Sequence, residues 1–97
     1  MTITVVIELQ VQPDKVEELK GTMKAIAPDA RAYDGCQGVT VHQDRNNPNT
    51  VLLLEAWASR PHHEKYLAWR TETGVLAGVV AVLTAPPSIR YFDGVDA

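Results

Sequence analysis

Apolar residues alternate with more polar ones over residues 3 to 11. The apolar set occupies every odd position: Ile3, Val5, Ile7, Leu9 and Val11. Because successive side chains of a strand point to opposite faces, this period of two predicts a β-strand with one buried face. Val39 and Val41 repeat the alternation and predict a second strand over residues 36 to 43.

A helical period separates these two strands. Its apolar residues recur three or four positions apart: Val16, Leu19, Met23 and Ile26. Pro13 suits the first turn, where the missing N–H is not needed. We expect Pro28 to end or kink the helix, because proline has no amide hydrogen to donate. We expect the segment Tyr33-Asp34-Gly35 to lead out of this helix.

The polar hexapeptide 44–49 is typical of a turn, so the apolar stretch 50–58 should pair with the second strand as a hairpin. Ser59 then suits the N-cap of a second helix, and Pro61 suits its first turn. Further along, five apolar residues fit a short helical stripe: Val75, Leu76, Val79, Val80 and Leu83. Their β-branched content leaves a strand as the alternative.

A final strand is predicted over residues 88 to 92, after the Ala85-Pro86-Pro87 stop. The order β-α-β-β-α-β, with a helical extension before the last strand, indicates one α+β domain over residues 1–97. We expect a ferredoxin-like fold with an antiparallel four-stranded sheet and helices on one face. Leu52 and Leu54 make the third strand apolar on its other face too, so a partner's sheet should cover that face in a homodimer.

Charge and composition narrow the classes of function. The formal net charge of −3 at pH 7 disfavours a nucleic-acid partner, because phosphate binding needs clustered Lys and Arg. A single cysteine, Cys36, excludes an internal disulfide. The start of the chain reads as a strand and not a signal peptide, and no apolar run approaches the roughly 20 residues of a membrane span. We therefore expect a cytoplasmic protein without a membrane partner.

The predicted second helix carries the candidate chemistry. His63, Tyr66 and Arg70 lie on one stripe of it, together with Leu67, which suggests that the stripe faces inward. A histidine of near-neutral pKa could take a proton from a phenolic or enolic substrate, and tyrosine or arginine could stabilise the resulting oxyanion. The alternative is that His63 is a partly exposed helix residue.

Glu55 and Trp57 lie two positions apart and so share one strand face. A buried carboxylate must be paired, for Glu55 with a backbone amide or with an arginine at the dimer contact. Trp57 either fills the core or lines a pocket. His62 and His63 point about 100 degrees apart on a helix, so they cannot chelate one metal ion together.

Four short motifs carry a family resemblance: Gly35-Cys36, the turn 44–49, Glu55-Ala56-Trp57 and Pro86-Pro87. Over nearly its whole length the chain resembles the antibiotic-biosynthesis-monooxygenase-type domains, which fold as dimeric α/β barrels. The resemblance implies a cavity between sheet and helices that binds substrate through four side chains: Trp57, Trp69, Leu53 and Ile7. The haem-degrading branch has an asparagine where this chain has Ile7, so that activity is disfavoured.

The function implied by the resemblance is a cofactor-independent monooxygenase for a small hydrophobic aromatic compound, such as a quinol or a polyketide phenol or anthrone. His63 would be the base, Tyr66 and Arg70 would stabilise the substrate anion, and dioxygen would react directly with that anion. No metal, haem or flavin is expected. Two alternatives stay open, a non-oxidative isomerase or cyclase of the same fold and a non-catalytic ligand-binding dimer.

Overall fold

A computed structural model describes residues 2–97, which form a four-stranded antiparallel sheet with helices on one face. The elements in chain order are β1 (Ile3–Gln10), α1 (Val16–Ala32), β2 (Cys36–Gln43), β3 (Thr50–Trp57), α2 (Arg60–Glu72), α3 (Val75–Val80) and β4 (Ser88–Asp93). A short 3-10 turn, Pro13–Lys15, leads into α1. The strand order is β2-β3-β1-β4. The predicted ferredoxin-like fold is confirmed.

The alternation in β1 places its odd residues under the helices. Ile7 pairs with Leu53 of β3 on one side and with Ile89 of β4 on the other, so all three side chains share the helix-covered face. Val5 is fully buried on that face. The opposite face of the sheet is left open, and Leu54 on it is 43% exposed.

The sequence predicts that Pro28 ends or kinks α1. The first of these two expectations is wrong, because the helix does not end there. The helix continues through Pro28 to Ala32. A proline inside a helix costs about 3 kcal/mol, because one backbone hydrogen bond is lost and its ring crowds the preceding turn. Met23, Ala27 and Ala30 are all buried, and packing of this face offsets the local cost.

Smaller corrections concern the ends of other elements. The stretch after α2 is helical, as the stripe predicted, but α3 ends at Val80. Leu83 instead forms a single antiparallel bridge with Val11, just beyond the end of β1. β3 stops one residue before the predicted end, and β4 runs one residue further, to Asp93.

The start of α2 is anchored twice. Ser59 is the N-cap, and its hydroxyl accepts a hydrogen bond from the His62 amide at 3.3 Å, as the sequence indicated. Gly35, in the turn after α1, has φ +86° and lies directly against the His62 ring. This close approach brings the turn and the first turn of α2 together.

No helix within residues 2–97 combines the length and apolar character needed to cross a membrane.

Replacing Gly35 by alanine should destabilise the protein by about 1–3 kcal/mol. The added Cβ would meet the His62 ring, in a left-handed conformation that L-residues rarely adopt. Gly21→Ala is the matched control, because Gly21 lies inside α1 with open space around its Cα and should gain about 0.5–1 kcal/mol. Urea unfolding of both variants measures the difference. Equal stability of the two variants would contradict the tight contact.

Candidate functional site

An apolar cavity lies between the sheet and the helices. Its volume is about 70 Å³, and apolar side chains from the sheet, the three helices and the segment before β4 make most of its wall: Ile7, Leu9, Met23, Ile26, Leu53, Leu67, Val75, Leu76, Val79, Pro87 and Ile89. Three polar side chains border it, those of Glu55, Tyr66 and Arg70. An apolar enclosure with a few converging polar groups is the usual form of a small-molecule site.

Arg70 and Tyr66 form one polar unit, one helical turn apart on α2. The Nε of Arg70 donates to the Tyr66 hydroxyl at 2.8 Å, and its Nη2 donates to the carbonyl of Ile26 on α1 at 3.0 Å. Arg70 is only 5% exposed, and none of the salt bridges within residues 2–97 involves it. A buried guanidinium without a carboxylate partner leaves a positive charge that an anion in the cavity could balance.

The Tyr66 hydroxyl keeps its own hydrogen available. It accepts from Arg70, so its O–H is free to donate to another group. Burial raises the pKa of Tyr66, and the hydrogen bond and charge of Arg70 oppose this rise. Tyr66 is therefore a neutral donor at pH 7, placed beside a cation.

Glu55 and His63 form a second polar unit, of which Glu55 borders the cavity and His63 does not. Trp57 Nε1 donates to Glu55 Oε1 at 2.8 Å, and His63 Nε2 lies 3.6 Å from the same oxygen. On the other side of its ring, His63 Nδ1 is 2.9 Å from the hydroxyl of Tyr91 on β4. His63 is fully buried, which excludes the alternative of a partly exposed helix residue.

Burial acts in opposite directions on these two groups. It raises the pKa of the Glu55 carboxyl, an effect that the Trp57 hydrogen bond partly opposes. It lowers the pKa of His63 from 6.5 to about 4, a change that the charge of Glu64 opposes. In both cases the low-dielectric surroundings disfavour the charged form. The expectation of a pKa near neutrality for His63 is therefore wrong.

Four of the predicted site residues border the cavity: Ile7, Leu53, Tyr66 and Arg70. The other three, Trp57, Trp69 and His63, are not among its lining residues. Trp57 is fully buried, with the rings of His63 and Tyr66 at centroid distances of 5.3 and 5.1 Å, and it does not reach the cavity. Trp69 also lies outside the lining and stacks on Tyr33 at 5.1 Å. His63 is separated from the cavity in the same way, behind Glu55.

Two features of the site were not foreseen. Within residues 2–97, the Glu55 carboxyl pairs with the Trp57 indole, and neither an arginine nor a backbone amide donates to it. Tyr91 was overlooked, although it lies opposite Val5 in the register of β4 and so faces the helices. The signal was a polar aromatic two residues after Ile89, on the same strand face. Within residues 2–97, no three His, Cys, Asp or Glu side chains gather so as to hold a metal ion.

The sequence pattern of the antibiotic biosynthesis monooxygenase family matches residues 2–77. The chain belongs to this family. Among curated proteins, no sequence matches it.

Solved structures share the fold of this antibiotic biosynthesis monooxygenase domain. A protein of Mycobacterium tuberculosis superposes with a TM-score of 0.87 at 21% identity, over 100% of this chain and 98% of its own. A conserved protein of Methanosarcina mazei gives 0.86 at 23% identity, over 95% and 91%. A structure described as an antibiotic biosynthesis monooxygenase gives 0.87 at 15% identity, over 97% and 99%. At these identities the likeness establishes the fold alone.

The lowered pKa of His63 predicts a specific acid sensitivity. The folded protein disfavours the protonated ring, so His63 contributes stability above pH 6.5 that is lost as the pH falls towards 4. The full difference is about 3 kcal/mol, at 1.36 kcal/mol per pH unit. His63→Gln should therefore lose less stability than the wild type over this interval in urea unfolding. His62→Gln is the control and should follow the wild-type curve. Parallel curves for the wild type and His63→Gln would contradict the lowered pKa.

Proposed function

We propose that this domain is a cofactor-independent monooxygenase that binds a small hydrophobic aromatic compound as its anion. The observation that carries the proposal is the buried Arg70–Tyr66 pair at the edge of an apolar cavity, since within residues 2–97 no salt bridge joins Arg70 to a carboxylate. A phenolate or enolate would supply the missing negative charge, and its ring would take the place of solvent against the apolar wall.

The size of the cavity bears on the substrate. Its volume of about 70 Å³ is roughly half that of an engineered 150 Å³ cavity known to bind benzene. An aromatic ring would therefore enter only as lining side chains such as Leu67 and Leu76 move outward. This favours a quinol or phenol of one or two rings over a larger polycyclic compound.

Anion binding would also drive the chemistry. The Tyr66 O–H would donate to the substrate oxygen, and the Arg70 charge behind it would stabilise the negative charge as it forms. One well-placed donor of this kind is worth about 2.7–4 kcal/mol in the transition state. The Glu55 carboxyl at the cavity wall would receive the substrate proton.

The oxidation would then need only dioxygen as co-reactant. The substrate anion would give electrons to dioxygen, and a carbon–oxygen bond would form. Cleavage of the oxygen–oxygen bond would leave one oxygen atom in the product as a carbonyl group. The second oxygen atom would leave as water. One of the two protons of this water is the proton taken earlier from the substrate, and the other comes from the substrate carbon or hydroxyl. In this proposal the substrate is its own reductant.

We further propose that the protein acts as a homodimer through the open face of the sheet. Val6, Leu52 and Leu54 lie there, and Phe92, opposite Thr4 in the register of β4, is 44% exposed on the same face. Helices cover only the other face, so a second copy of the sheet is the natural cover. Such a dimer would close the domain into an α/β barrel.

Oxygen uptake with a panel of quinols, phenols and anthrones tests the oxidative function. Consumption of one dioxygen per substrate, with one labelled oxygen atom in the product when labelled dioxygen is supplied, supports a monooxygenase. A compound that binds and is converted without oxygen uptake would replace this proposal by an isomerase or cyclase. A compound that binds and is returned unchanged would replace it by a ligand-binding domain.

Tyr66→Phe should reduce kcat/KM by on the order of 100-fold, because the donor to the substrate anion is lost. Tyr33→Phe is the matched control. Tyr33 belongs to the same aromatic cluster, 5.3 Å from the Tyr66 ring, but does not border the cavity. Steady-state kinetics of the two variants measure the effect, with thermal melts to correct for the folded fraction. A similar loss in both variants would mean that the Tyr66 hydroxyl has no part in the reaction.

Leu54→Asp should dissociate the dimer, because it would bury an unpaired charge in the contact at a cost of several kcal/mol. Val80→Asp is the control. Val80 lies on α3, away from the open face, and is 43% exposed, as is Leu54. Sedimentation at micromolar concentration reads the oligomeric state. A monomeric wild type, or a Leu54→Asp variant that stays dimeric, would overturn the proposed interface.

A further inference from the structure

One buried nitrogen in this protein has no partner. Within residues 2–97, His63 Nε2 is the buried side-chain nitrogen or oxygen that lacks a hydrogen bond. Leaving such an atom unpaired costs about 1–3 kcal/mol, so a partner is expected close by. The nearest polar atom described for it is Glu55 Oε1, at 3.6 Å.

The two hydrogen bonds already present restrict where the protons lie. Glu55 Oε1 accepts from the Trp57 indole, which is a donor only. His63 Nδ1 faces the Tyr91 hydroxyl at 2.9 Å, and a hydroxyl can accept from N–H. With the hydrogen on Nδ1, the lone pair of Nε2 faces Glu55. A protonated Glu55 would then find its acceptor in Nε2, once a small side-chain movement closes the 3.6 Å separation to hydrogen-bond distance.

This arrangement also suits the apolar surroundings. Burial raises the pKa of Glu55 and lowers the pKa of His63, so it favours the uncharged form of each group. In the proposed arrangement the resting pair is a neutral carboxylic acid, whose hydrogen faces the unpartnered Nε2, beside a neutral imidazole. A neutral carboxylic acid alone is a poor base. It can still accept a proton on one oxygen if it releases its own proton from the other oxygen at the same time.

We propose that His63 is the final proton acceptor of the site and takes the substrate proton through the Glu55 carboxyl. In one concerted step the substrate O–H bond breaks and an O–H bond forms at Glu55 Oε2. The Oε1–H bond breaks, and an N–H bond forms at His63 Nε2. The step yields a substrate anion, a neutral Glu55 and an imidazolium. This inference rests on the proposed anion-binding function, and it makes His63 a positioning residue that acts through Glu55.

Burial disfavours a positive charge on His63, and the groups around the ring decide how far this is offset. From β4 the Tyr91 hydroxyl lies 2.9 Å from Nδ1 and, in the proposed tautomer, accepts from Nδ1–H. From β3 Glu55 and Trp57 border the ring. On α2 itself, Glu64 favours the charged form through its negative charge, and Tyr66 is neutral. Arg60 lies over the far side of the Tyr91 ring, 4.4 Å from its centroid, and is the cation of this group. Together they hold the ring in a fixed orientation.

Binding of 4-nitrophenol tests the relay without any turnover. Its phenolate absorbs visible light, and nitrogen-15 NMR reports the protonation of His63. The wild type should bind the probe as phenolate at pH 7, with His63 changing from the neutral ring to the imidazolium. A bound phenolate beside a neutral His63 would overturn the relay, because the proton of the probe would then have gone to solvent and not to the site.

Two substitutions should interrupt the relay at different points. The amide side chain of Glu55→Gln cannot pass a proton from the substrate to His63. His63→Gln can still hydrogen-bond to Glu55 but cannot hold a proton. Each should lower the fraction of bound probe that is phenolate by at least about tenfold at pH 7. His62→Gln is the control and should leave that fraction unchanged. An unchanged fraction in either relay variant would overturn the proposal.

The free protein supplies a test that does not depend on ligand binding or on oxidation. At pH 7 its His63 should be neutral with the hydrogen on Nδ1, and Tyr91→Phe should shift the ring towards the other tautomer. A wild-type ring that carries its hydrogen on Nε2 would overturn the relay. If the tautomer is as expected but the probe does not bind, the anion-binding function fails and His63 remains the partner of Glu55.

Discussion

The requirement that buried polar groups be paired shapes the centre of this domain. A carboxyl, an imidazole and a guanidinium all lie below the surface, at Glu55, His63 and Arg70, in a core that is otherwise mostly apolar. Each would be costly to bury alone. The helix α2 must therefore present His63, Tyr66 and Arg70 on one stripe, because any rotation about its axis would separate them from their partners.

These pairings also tie the elements together. Arg70 reaches the carbonyl of Ile26 and so joins α2 to α1. His63 lies between Glu55 of β3 and Tyr91 of β4, and so joins α2 to two strands. The polar contacts thus fix the helix in register over the sheet, while the apolar contacts supply most of the stabilisation. The cavity borders a member of each polar unit, Glu55 of one and Tyr66 and Arg70 of the other.

Neither the family nor the fold determines the reaction of this domain, which depends on the side chains of the site. Ferredoxin-like domains support many unrelated activities, and solved structures at 15–23% identity share little beyond the backbone. In this chain some polar side chains of the site border the cavity and others lie behind them. Tyr66 and Arg70 can meet a negative charge in the cavity directly, whereas His63 has access to it only through Glu55.

The elements could be predicted from the sequence because they depend on local patterns. The alternation from Ile3 to Leu9 predicted β1, the Ser59 cap predicted the start of α2, and the stripe from His63 to Arg70 predicted its buried face. These features follow from the periods of helix and strand, which neighbouring residues alone define. The family could likewise be inferred from short motifs, and residues 2–77 confirm it.

The roles within the site depended on distances between elements, which no local pattern contains. Glu55 and Trp57 share a face in any strand, but only the packed structure turns the indole towards the carboxyl and away from the cavity. Pro28 should have ended α1 by its local chemistry, and the buried face of the helix outweighed it. His63 and Tyr91 are 28 residues apart and meet only because β4 returns beside β1. Tertiary packing, through burial and pairing, decided which side chains face the cavity and which support them.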